Sequence, residues 1–120
     1  MKANIKKLWI AALRSGDYTQ STGRLRRLSR AGESRKEDKF SHCCLGVLGE
    51  LYCEATNQPW NSREVGDGQS LSRAVLTWSG MRCGMGDSVH IDSDILYPLA
   101  ALNDGGKNFA QIADAIESQL

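Results

Sequence analysis

Nowhere in the 120 residues does an apolar run approach the roughly 18 needed to cross a bilayer, so the sequence offers no membrane-spanning helix. The opening "MKANIKKLWIAALRSG" intersperses polar with apolar residues and lacks the continuous apolar centre of a secretory leader. Paired metal-binding spacing is missing as well. Cys43, Cys44, Cys53, Cys83, His42 and His90 form neither a C-x-x-C nor an H-x-x-x-H pair, which argues against a structural zinc and leaves no cofactor to expect. Without a leader the expected compartment is a reducing cytoplasm, where the four cysteines stay free thiols. Net charge is also nearly absent, at +1, but it is the balance of two unlike halves. Residues 1–40 carry 11 Lys/Arg against 4 Asp/Glu, and residues 41–120 carry 4 against 10. A basic early segment can serve nucleic acid, a phosphate-bearing ligand or an acidic protein face, or can attract the rest of its own chain.

What is present fits one ordinary domain. A chain of this length can bury one modest core, and 41% hydrophobic with 24% charged residues is inconsistent with wholesale disorder. "NIKKLWIAALRSG" places Ile5, Leu8, Trp9, Ala12 and Leu13 at helical spacing, with Asn4 as the expected N-cap and Gly16 just past the end. The periodicity then fails. Residues around Tyr18, Gly23, Leu25 and Leu28 suggest a short hairpin or extended piece, and residues 29–39 a mobile basic loop. "SHCCLGVLGELY" predicts a central helix capped by Ser41, with Cys44, Val47, Leu48, Leu51 and Ala55 on one face. Gly46 and Gly49 inside it cost about 1 kcal/mol each against alanine, which another element's close approach would offset.

Three further helices are expected. Ser70 would cap "LSRAVLTWSG"; Asp94 would cap a helix carrying Ile95, Leu96, Leu99 and Leu102, with Pro98 in its first turn; and Asn108 with Gln111 makes a capping box for Phe109, Ile112, Ala113 and Ile116. The fold class is therefore mainly α with minor β: a single compact domain, residues 1–120, of about five short helices with a small β-hairpin or extended segment after the first. "GGKNFAQIADAI" resembles the first helix of a helix-turn-helix, but no recognition helix is expected after it and the region is acidic, so DNA reading by that route is not expected.

Taken together, "LWIAALRSGDYTQSTGRLR", "FSHCCLGVLGELY", "VLTWSGM" and "LAALNDGGKNFAQIADAIESQL" resemble a group of small proteins of tailed phages and prophages. The likeness covers about 70 of the 120 residues, with "SH" inserted between Phe40 and Cys43 as a departure from the pattern. The resemblance implies a phage accessory protein in the host cytoplasm that binds and disables a host component such as an anti-phage defence.

Two chemistries compete for the site. Cys43, in the first turn of a helix, could act as a thiol nucleophile with His90 or His42 as base and Asn103 or Asp104 orienting the histidine, as in a Cys-dependent hydrolase. Cys44, on the apolar face, reads as a small hydrophobe. His90, Asp92 and Asp94 are as well explained by helix capping as by a metal, and "NDGG" lacks the remaining ligands of a calcium loop. A binding role asks less. Arg24, Arg26, Arg27, Arg30 and Arg35, flanked by Tyr18 and Phe40, suit a host protein's acidic surface, a phosphate-bearing small ligand, or nucleic acid. The expectation is a non-enzymatic binder.

Overall fold

The computed structural model describes residues 1–28 and 40–120. The expected mobile loop, with Arg30 and Arg35, lies outside the described residues. The chain runs α1 (Ala3–Arg14), β1 (Arg26–Leu28), β2 (Phe40–His42), α2 (Cys44–Thr56), α3 (Ser62–Val65), β3 (Gly66–Asp67), β4 (Ser70–Leu71), α4 (Arg73–Ser79), β5 (Ser88–Val89), β6 (Tyr97–Pro98), α5 (Leu99–Asp104) and α6 (Phe109–Gln119). Each strand pairs antiparallel with its sequence neighbour, β1 with β2, β3 with β4 and β5 with β6. The architecture is mainly helical with minor β structure, built around one continuous buried cluster.

α2 is the centre of that cluster. Cys44, Leu45, Val47 and Leu48 are all buried, because α1, α5 and the hairpins surround the helix on several sides. The two glycines expected to admit close neighbours do so. A Cβ at Gly46 would collide with the Leu25 carbonyl, and one at Gly49 with the side chains of Val65 and Trp60. α1 lies along α6 and anchors to α2 through Trp9, whose indole Nε1 donates to the Cys44 carbonyl at 2.9 Å. α6 carries the expected capping box, Asn108 accepting from the Gln111 N–H while the Gln111 side chain accepts from Asn108.

Several boundaries differ from expectation. The N-cap of α1 is Lys2 and not Asn4. α2 is capped at Cys43, because Ser41 and His42 are drawn into strand pairing with residues 26 and 27; Ala55 lies exposed at its far end. Ser72 rather than Ser70 caps α4, accepting from the Val75 N–H, while Ser70 joins β4. α5 begins at Leu99, with Pro98 in the N-cap position, so Ile95 and Leu96 precede the helix and face solvent. The residue before a proline disfavours helical backbone, and Tyr97 accordingly pairs with Val89 as a strand.

Candidate functional site

The described residues between α1 and α2 are organised by the pairing of β1 with β2, whose register sets Arg26 opposite His42, Arg27 opposite Ser41 and Leu28 opposite Phe40. At the inner end, His42 is 4% exposed and its Nε2 lies 2.8 Å from Glu50 Oε2 on α2. The same oxygen is 3.7 Å from Arg26 Nη1. Arg26 is held from two further sides, its guanidinium carbon 3.8 Å from the Phe40 ring centroid and 4.6 Å from that of Trp60. Tyr18 and Trp60 meet the His42 imidazole edge-on, at centroid distances of 5.4 and 6.3 Å. Burial, followed by the charges of Glu54 and Glu50, pushes the Tyr18 phenol above its ordinary range. The other ring nitrogen, Nδ1 of His42, is buried without a hydrogen-bond partner among the described residues.

One carboxylate thus ties both strands to the central helix. A guanidinium, a carboxylate and an imidazole meeting under aromatic cover hold a geometry. Beside the cluster lies a cleft of about 450 Å³ lined by Glu50, Cys53, Glu54, Asn57, Gln58, Pro59 and Trp60. Burial raises the Cys53 thiol, with Glu50 adding to the effect. Among the described residues, no three His, Cys, Asp or Glu side chains converge to hold a metal ion.

The thiol chemistry finds a different setting. Cys43 sits at the N-terminus of α2, and hydrogen bonds from the backbone N–H groups of Gly46 and Leu45 favour its thiolate. Burial outweighs them and the thiol is raised. No hydrogen bond joins Cys43 to either histidine among the described residues. His42 is directed at Glu50, and His90 exchanges backbone bonds with the side chain of Gln119 at the end of α6. Cys44 is wholly buried and its thiol is raised further. Asn103 is engaged elsewhere. Its Oδ1 accepts from Gln20 Nε2 at 2.9 Å and from the Cys44 N–H at 3.1 Å, and its amide donates to the Ser21 carbonyl and to Asp104. Asp104 also accepts from the Gly23 N–H.

Of the arginines, Arg26 belongs to the internal clamp. Arg27 is exposed and bends back to donate to the Thr22 carbonyl, and Arg24 is exposed with no ion pair among the described residues. The outermost cross-strand pair, Leu28 and Phe40, is left to solvent at 71% and 37% exposure. Glu50 and Trp60 were not singled out by the sequence as functional neighbours. Their roles depend on strand pairing across the intervening segment, which no local spacing encodes.

The junction made by Gln20, Gly23, Leu25, Cys44, Gly46, Asn103, Asp104 and Phe109 joins three distant blocks of sequence, Gln20 also accepting from the Phe109 N–H. The chain belongs to the DUF8296 family. The family model, described as a domain of unknown function, matches residues 1–120, so it spans all three blocks and the hairpin between them. No curated protein and no solved structure matches the chain.

Proposed function

We propose that the chain is a phage-type accessory protein that acts without catalysis, binding a bacterial host factor of anti-phage defence in the host cytoplasm through the exposed end of the β1–β2 hairpin. The observation that carries this reading is the exposed Leu28–Phe40 pair at the outer end of a strand pair that Arg26, Glu50 and His42 fasten to α2 on the same face, with exposed Arg27 on the opposite face and exposed Arg24 in the bend before β1. Solvated apolar side chains on a short two-stranded edge favour association, and exposed arginines on the same segment favour an acidic partner. Because Arg26 is locked in place, the hairpin meets a partner pre-ordered, which lowers the entropic cost of binding.

Between a protein effector and a nucleotide signal, the arrangement supports the protein. A small phosphate-bearing ligand calls for a concave pocket with convergent polar groups. Here the apolar pair and the two arginines are exposed, Arg27 on the strand face opposite the pair and Arg24 in the bend before β1. The phage and defence parts of the reading rest on the likeness of the four quoted stretches of sequence to tailed-phage proteins.

The test is native mass spectrometry of the chain purified from defence-expressing bacteria, beside the Arg24→Glu/Arg27→Glu variant. The reading expects a host protein retained by the wild type and lost from the variant. A retained nucleotide or nucleic acid, or a protein held equally by both, contradicts it.

A further inference from the structure

The cleft of about 450 Å³ at the end of α2 is not filled by the hairpin clamp. Glu50, Cys53, Glu54 and Asn57 line it at helical spacing, from one face of the last two turns. Asn57 then turns the chain at a φ of 53°, and the Gln58 N–H donates to the Cys53 carbonyl at 2.9 Å, which brings Pro59 and Trp60 into the lining. The charge at this end of the helix has the unfavourable sign. A helix C-terminus carries partial negative charge and is stabilised by cations, yet the last turn of α2 has no basic residue and holds Glu54. Glu54 is exposed and has no ion pair among the described residues, whereas Glu50 is engaged by His42 and Arg26. Two neighbours register the excess. After burial itself, the charges of Glu54 and Glu50 push the Tyr18 phenol up, and both act in the same direction on the Cys53 thiol against the opposing charge of Arg26. A residue placed against local preference beside an open cleft points to a ligand that offsets it.

We infer that this cleft is a binding site for an alkylguanidinium or alkylammonium group, its charge at the Glu54 carboxylate and the negative end of α2, its methylenes along Pro59 and the Trp60 ring. The chain shows that these surroundings accept such a group. The Arg26 guanidinium lies 4.6 Å from the centroid of the same Trp60 ring and 3.7 Å from Glu50. Arg26 offsets one of the two carboxylates and leaves the charge of Glu54 to a ligand. An aromatic wall beside a carboxylate favours an organic cation, whose stem buries apolar surface while its head pairs with the acid and stays partly in water. The volume falls in the range of small-ligand sites. Such a group arrives either as the arginine or lysine side chain of a bound partner or as a small free amine, and the chemistry is the same for both. None of the cleft's lining residues is Leu28, Phe40, Arg24 or Arg27, so the site stands or falls separately from the hairpin as a contact face.

The experiment is an NMR titration of the full chain with butylguanidinium, butylammonium and the neutral isostere butylurea, following the amides of Glu54, Asn57 and Gln58 and the indole of Trp60. Both cations are expected to give saturable shifts with half-saturation at about millimolar concentration, as suits so small a ligand, and butylurea none. Glu54→Gln removes an exposed charge and keeps the side chain's length, so its spectrum away from the cleft is expected to stay that of the wild type. Its affinity for the cations is expected to fall about tenfold or more. Asp94→Asn removes an exposed charge elsewhere and is expected to bind as the wild type does. Shifts of equal size with butylurea overturn the inference, as does no saturation below about 100 mM cation, or a Glu54→Gln affinity within about twofold of wild type. A loss in Asp94→Asn equal to that in Glu54→Gln overturns it too, because general charge then accounts for the binding. N-acetylarginine methylamide and putrescine separate the two sources: tighter binding of the first assigns the cleft to a partner's side chain, tighter binding of the second to a free amine, and binding of neither contradicts the site.

Discussion

Gln20 Nε2 donates to Asn103 Oδ1 at 2.9 Å across 83 residues of sequence, and the same Asn103 oxygen takes the backbone N–H of Cys44 at 3.1 Å. Asn103 is 1% exposed, so water cannot replace what it supplies. Asn103→Ala strands the Cys44 N–H, the Ser21 carbonyl and part of the Gln20 amide. At about 1–3 kcal/mol for each buried group left unpaired, with some relaxation, we expect a loss of about 2–4 kcal/mol in urea unfolding. A loss below about 1 kcal/mol contradicts the role assigned to this junction.

Gly46→Ala is expected to destabilise the fold by about 1–3 kcal/mol although alanine is the better helix former, because the new methyl meets the Leu25 carbonyl. Thermal unfolding decides the sign. A stabilised variant would mean that the hairpin does not approach α2 as closely as described.

The thiols differ in setting and should differ in reactivity. Cys83 is exposed, whereas Cys43, Cys44 and Cys53 are buried with their thiols raised by that burial. A thiol reagent at neutral pH is expected to label one cysteine quickly and the other three only on unfolding. Cys43→Ser is expected to leave partner binding unchanged. Rapid modification of Cys43 in the folded protein, or a folded but inactive Cys43→Ser, would support thiol chemistry instead.

Arg14 donates to Glu117 and Asp114 across the α1–α6 contact and holds the Glu117 carboxyl below its usual range. A carboxyl that titrates lower when folded than when unfolded favours the folded state at neutral pH, and its contribution is lost as pH falls through the folded value. Arg14→Ala should therefore lower stability at neutral pH and converge with wild type in acid. Both partners are exposed, so the difference should also shrink with salt. A gap between the two proteins that persists in acid contradicts the assignment.

The sequence shows these relationships unevenly. α1, α2 and α6 are legible because Trp9, Leu48 and Ile112 recur at helical spacing with an apolar face to bury, and the need for small residues at Gly46 and Gly49 is readable from their cost. The start of α5 is not. Ile95 and Leu96 fall in phase with Leu99 and Leu102, yet Pro98 turns Tyr97 into a strand and leaves the first two in water. In the candidate site the basic cluster and Tyr18 are visible, but the separation of Arg26 from Arg24 and Arg27 is not. That division follows from a register placing Arg26 over Glu50, a long-range pairing that local pattern does not contain.

The most direct test of the hairpin as a contact face is photo-crosslinking in defence-expressing bacteria, with a photoreactive phenylalanine at position 28 and, as control, at the exposed position 110 on α6. We expect position 28 to capture a host protein distinct from a second copy of the chain, position 110 to capture none, and the adduct to vanish when Arg24 and Arg27 are changed to glutamate. No host adduct at position 28, or the same adduct at both positions, would contradict the account.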